Sequence, residues 1–92
     1  MTAKLLKSDG TSTNVSPANG VSFKLHECYE LIDCEYVEVV YLDGENILIV
    51  DEEGLMNPEF IINQEATIYA RIAGTATTIA GNAILCPHEM FK

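Results

Sequence analysis

The strongest pattern of apolar and polar positions runs from Glu35 to Gly54. Two runs rich in β-branched and aromatic residues, Tyr36 to Leu42 and Ile47 to Val50, flank Asp43-Gly44-Glu45-Asn46. This predicts a β-hairpin, since Asp-Gly at a bend is a strong turn signal and glycine accepts the positive φ of tight turns. On the first run Tyr36, Glu38, Val40 and Leu42 share one face, and Glu35, Val37, Val39 and Tyr41 the other. Both faces are largely apolar, which predicts a central strand covered on one side and partly on the other. The second run is apolar without alternation, as expected of an interior strand.

Weaker patterns place the remaining elements. Thr2 to Lys7 reads as a short strand, Ser8 to Thr11 as a turn, and Thr11 to Val15 as a returning strand, with Lys4 and Lys7 guarding a sheet edge. Ser16 to Gly20 is a loop by composition. From Phe23 to Asp33, Leu25, Cys28, Leu31 and Ile32 recur at helical spacing. The start of that helix is poorly marked, because Glu27 would pair with a cap at Lys24, whose side chain cannot cap. Gly54 to Phe60 is a loop broken by Pro58. Asn63 is a good N-cap for a helix from Gln64 to Ile72 with Ala66, Tyr69, Ala70 and Ile72 on its buried side, and Ala73-Gly74-Thr75 ends it. Thr77 to Cys86 is the last strand, kinked at Gly81-Asn82, and a tail follows that docks through Met90 and Phe91. The expected fold is a single α+β domain over 1–92: two layers, a four- to five-stranded mainly antiparallel sheet, and two short helices on one of its faces.

Composition narrows the function classes. An apolar fraction of 48% argues against disorder, and no apolar run approaches the roughly 20 residues needed to cross a bilayer. The first residues are too short and polar for a signal peptide, so the expected location is cytoplasmic. Cys28, Cys34 and Cys86 are too few for a disulfide framework and read as small, mostly buried hydrophobes. Fourteen acids against five bases give a formal charge of −9. From Leu25 to Ala70 there are twelve acids and no Lys or Arg. That middle argues against duplex nucleic acid, whose affinity comes from cationic contacts to phosphate. It leaves an acidic surface aimed at a basic partner, or a solvated face that keeps the protein soluble.

Candidate chemistry is sparse. His26 and Cys28 lie two apart on a helix and point about 200° apart, and Cys86 with His88 supplies two ligands where a structural zinc needs four. Asp51-Glu52-Glu53 clusters three carboxylates before Gly54 without the spacing of a calcium loop, and no nucleophile with an activated base accompanies them. No metal, cofactor or catalytic residue is therefore expected. Gly74, Thr75, Thr77 and Thr78 are small and polar enough for backbone amides to meet a phosphate, and Tyr36, Tyr69 and Arg71 add stacking and charge for a nucleotide.

The run Glu30 to Gly44, followed by Ile49-Val50-Asp51-Glu52-Glu53-Gly54, resembles a family of small bacteriophage and mobile-element proteins catalogued as a domain of unknown function (number 3846). The resemblance continues through Asn63 to Thr67 and Ile72-Ala73-Gly74 to Gly81 to Cys86. Two departures from that family's pattern stand out: Lys24 stands where a capping Thr or Ser is usual, and Leu55 to Pro58 replaces a more basic loop. The resemblance implies a phage or mobile-element origin and carries over no catalytic residue.

These readings converge on a non-enzymatic binding protein of phage type, acting in counter-defence. Its acidic surface, with Glu38, Glu45, Asp51, Glu52 and Glu53, inhibits a host protein through that protein's basic groove. The alternative is an oligomer that sequesters a small cyclic nucleotide signal through Tyr36, Tyr69, Arg71, Gly74, Thr75, Thr77 and Thr78. A structural phage accessory protein is the third reading. A homo-oligomer is expected, because two helices leave apolar sheet surface uncovered.

Overall fold

In the computed structural model, which describes residues 3–42, 44–59 and 61–91, the hairpin of the sequence pattern forms one border of a larger sheet. The strands are β1 (Ala3–Leu6), β2 (Ser12–Val15), β3 (Val37–Tyr41), β4 (Asn46–Asp51) and β5 (Ala83–Pro87). Helix α1 (Leu25–Ile32) lies between β2 and β3 in the chain, and α2 (Gln64–Ile72) between β4 and β5. The sheet order is β2-β1-β5-β4-β3, with every neighbouring pair antiparallel. The fold is α+β, as the sequence predicts. Asp43 in the hairpin bend and Phe60 in the loop lie outside the described residues.

Register explains the burial. One row crosses the sheet from Leu6 through Ala83 and Val50 to Glu38, and the next runs Leu5, Ile84, Ile49, Val39. Successive rows point to opposite faces. The second row packs with Cys28 and Ile32 of α1, and with Phe23, Ile47 and Met90. The first packs with Ala66 and Ala70 of α2, and with Leu48 and Ile79. The helices therefore cover opposite faces of the sheet, not the single face expected from the sequence. The unbroken apolar run Ile47 to Val50 follows from this, because β4 is buried on both sides. Each of its four side chains contributes about 1.5–3 kcal/mol of burial.

Other expectations are corrected by the same topology. β3 is an edge strand, and β4 is the interior member of the hairpin. β1 lies between β2 and β5, so Lys4 and Lys7 do not flank a free edge there. The last strand begins at Ala83; Thr75 to Ile79 follow an irregular path, and Ala80 makes a single bridge to Ile62. Within α1, Cys28 and Ile32 are buried but Leu25 is exposed. On α2 the buried face is Ala66, Thr67 and Ala70, while Tyr69 and Ile72 face outward. Thr67 is drawn inward because its hydroxyl accepts the Ile79 N–H at 2.9 Å.

The caps are legible. Asn63 caps α2 by accepting the Ala66 N–H at 3.0 Å. The helix stops in a Schellman turn, with the Gly74 N–H on the Arg71 carbonyl at 3.0 Å and the Thr75 N–H on the Ala70 carbonyl at 2.9 Å. Gly74 takes the φ of 90° that this turn requires. At α1 the Glu27 carboxylate accepts the Lys24 N–H at 2.9 Å and the Ala18 N–H at 2.8 Å, which replaces the missing side-chain cap. The tail docks as expected: the Phe23 N–H donates to the Met90 carbonyl at 2.7 Å, and Met90 and Phe91 pack against the α1-side core. Among the described residues no helix is long and apolar enough to cross a membrane.

Candidate functional site

Acids from three parts of the chain meet where β4 ends. Asp51 is the last residue of β4 and pairs with Val37, while Glu38, one step along β3, pairs with Val50. The Asp51 carboxylate accepts the Glu53 N–H at 2.9 Å and so fixes the turn that presents Glu52 and Glu53 to solvent. The Glu52 N–H donates to the Tyr36 carbonyl at 3.0 Å, which brings Glu35 and Tyr36 beside the same turn.

Two clefts open here. One of about 360 Å³ is lined by Cys34, Glu35, Asp51, Glu53, Met56 and Asn57. The other, of about 270 Å³, adds Asp33 from the end of α1 and Glu59 from the loop after β4. Asp51 lines both. Burial pushes the Cys34 thiol up to about 11, and the Asp51 carboxylate pushes it the same way. This thiol stays protonated at neutral pH.

Of the five acids singled out from the sequence, Asp51, Glu52 and Glu53 share the turn that ends β4, while Glu38, paired with Val50, projects from the opposite face of the sheet and lines neither cleft. Glu45 is farther off, because it enters β4 at the other end of the hairpin, about 20 Å away at roughly 3.3 Å per residue. Asp33, Glu35 and Glu59 join the cluster and were missed. They come from separate elements, so no spacing in the chain announces them. None of the described bases lines the two clefts: Lys24 precedes α1, Arg71 ends α2, Lys4 lines a groove on the α2 face, and Lys7, by Asp9, stands at the same end of the sheet next to Ser8 of the second cleft. Among the described residues no group of three His, Cys, Asp or Glu side chains is placed to hold a metal ion.

The nucleotide set does not converge. Tyr36 stands at the acidic end, whereas Tyr69, Arg71, Gly74 and Thr75 surround the C-terminal end of α2, which overlies the opposite end of the sheet. The Gly74 and Thr75 amides are taken by helix carbonyls, at the end of the helix dipole that repels anions. Thr77 and Thr78 are half-buried in the segment leading to Ile79. Beside this helix end lies a groove of about 570 Å³. Its floor is Leu42, Asn46, Leu85 and Pro87, and Tyr69 and Ile72 form its wall. Ile72 is 80% exposed and Ile68, one turn earlier, 56%. The outward side of helix α2 thus carries an apolar stripe of Ile68, Tyr69 and Ile72 among the exposed Gln64, Glu65 and Arg71.

Cys28 and Cys86 are buried together between the sheet and α1, and burial raises them to about 12 and about 11. Both are core side chains, as the sequence predicts.

Comparison with curated proteins and with solved structures finds no match. The family described as Domain of unknown function (DUF3846) matches residues 1–90, the stretch that contains the hairpin, the acidic end and both helices. The chain belongs to that family.

Proposed function

We propose that this protein is a non-enzymatic binding module of bacteriophage or mobile-element type, working in the host cytoplasm in counter-defence. Its acidic sheet end occupies a basic, nucleic-acid-binding surface of a host protein. One observation carries the reading: Asp33, Glu35, Asp51, Glu53 and Glu59, from separate segments, line two adjoining clefts, with Glu52 in the same turn and Glu38 at the same end of the hairpin on the other face. So dense a negative field speeds encounter with a basic surface and repels nucleic acid itself. The nucleotide alternative has weaker support, since its residues are divided between two ends of the sheet.

Self-association through the outward pair Ile68 and Ile72 of α2 belongs to the same proposal, because exposed apolar side chains one turn apart beside an apolar groove make a contact surface. The stripe is on a different part of the molecule from the acidic clefts, so an oligomer would present several acidic ends at once.

The test is retention of host proteins by the immobilised protein. The expected partner is basic, elutes with salt, is displaced by duplex DNA, and is lost by the variant Asp51→Asn, Glu52→Gln, Glu53→Gln. A variant that melts like wild type and still holds the same partner would remove the acidic end from the function.

A further inference from the structure

Among the described residues, no strand pairs with the outer edge of β3. The Leu42 N–H bonds the Asn46 carbonyl, and the Glu52 N–H bonds the Tyr36 carbonyl. In an antiparallel ladder bonded pairs alternate, so Tyr36, Glu38, Val40 and Leu42 direct their main-chain groups toward β4. Val37, Val39 and Tyr41 direct theirs outward, and β3 is the last strand in the sheet order. The other border, β2, is Ser-Thr-Asn-Val and polar. β3 is Val-Glu-Val-Val-Tyr, with high strand propensity and none of the prolines or lysines that blunt an edge.

We propose that β3 is a docking strand, which takes a basic extended segment of a partner protein as a sixth strand of the sheet. The proposal rests on the acidic-surface reading above and names the form in which the partner is held. Three features select this occupant. The outward groups of Val37, Val39 and Tyr41 supply main-chain hydrogen bonds of the kind that hold added strands. Glu38 projects from the second position of β3, exposed, onto the α2 face, where the facing position of an added strand is best filled by Lys or Arg. Tyr36 and Tyr41, 53% and 65% exposed, bracket the strand and offer ring faces to cationic side chains.

A second copy of the chain fits this edge poorly. The register that pairs all of β3 with itself is centred on Val39, and it sets the two Glu38 side chains on diagonal positions about 7–8 Å apart. A net charge of −9 on each copy adds to that repulsion.

The experiment uses the full chain and an eight-residue peptide alternating lysine and valine. A second peptide of the same sequence, N-methylated at every backbone nitrogen, keeps the charge but cannot donate main-chain hydrogen bonds. Amide hydrogen exchange is followed residue by residue, and affinity by calorimetry. The expected result is exchange slowed about tenfold or more at Val37, Val39 and Tyr41 by the first peptide, with the methylated one binding at least about tenfold more weakly. Tyr41→Pro removes one outward N–H without touching the bonds to β4, together with the ring that lies 5.8 Å from His88, and is expected to weaken the first peptide more than Tyr41→Ala, which removes the ring alone. Equal binding of the two peptides would overturn strand addition and leave the acidic surface acting by charge alone. Absence of peptide binding would overturn it as well, and so would protection of the three amides in the protein alone, which would mark the edge as a contact between copies. Retention of the host partner by the triple carboxamide variant bears on the acidic surface and not on the strand.

Discussion

The Asn63 side-chain amide donates to the Leu6 carbonyl at 2.9 Å, joining residues 57 apart in the chain. The same amide donates to the Gly81 carbonyl at 2.9 Å, and its oxygen caps α2 on the Ala66 N–H. The Asn63 main-chain N–H donates to the Ile79 carbonyl at 2.8 Å. One side chain, 1% exposed, thus ties α2 to the end of β1 and to the start of β5. Asn63→Ala is expected to cost about 2–4 kcal/mol, since it removes a cap and two hydrogen bonds to main-chain carbonyls. Asn63→Asp keeps the cap and loses both donations. Chemical denaturation in which the aspartate variant matches wild type would show that the cap alone matters.

Gly54 starts a short 3₁₀ turn behind the acidic end, and a Cβ there would stand 2.5 Å from the Ala80 carbonyl oxygen. The obstacle is backbone, so it cannot swing aside. Gly54→Ala is expected to destabilise by about 1–3 kcal/mol and to disturb the clefts that Asp51 lines. Gly44→Ala, in the hairpin bend, meets nothing within 4 Å and should be the milder change. Thermal melts of the two variants decide the order.

Glu27 provides the pH dependence. The Lys24 N–H, and after it the Ala18 N–H, hold its carboxyl below the ordinary value of 4.5. A depressed carboxyl stabilises the fold above its unfolded value and loses that contribution as pH falls through the folded one. Glu27→Gln is therefore expected to melt below wild type at neutral pH, and the gap should close as pH drops below 4.5. A gap unchanged at low pH would mean that the carboxylate charge is not what holds the start of α1.

Ile72, on the outward stripe of α2, tests self-association. Wild type is expected to sediment as an oligomer at roughly tens of micromolar, and Ile72→Glu as a monomer with an unchanged melt at low concentration. Wild type that sediments as a monomer would remove the oligomer from the proposal.

Much of the architecture was determined by the chain alone. The bounds of α2 follow from Asn63 and Gly74, because capping is local chemistry between residues a few positions apart. The β3–β4 hairpin follows from its two apolar runs, and the docked tail from Met90 and Phe91. The acidic balance follows from composition. What only the tertiary structure decided is which strand stands beside which. Periodicity records how many faces of a strand are apolar and says nothing of its neighbours, so β3 reads as central although it lies at the border. For the same reason an apolar helix stripe does not record which sheet face it covers, and α1 and α2 settle on opposite ones. Ile72 and Thr67 exchange their expected places because the hydroxyl finds Ile79 across a fold that brings the segment before β5 against α2. The gathering of Asp33, Glu35 and Glu59 around Asp51 has the same origin. Charges add in space, and their nearness is set by the sheet order and not by spacing along the chain.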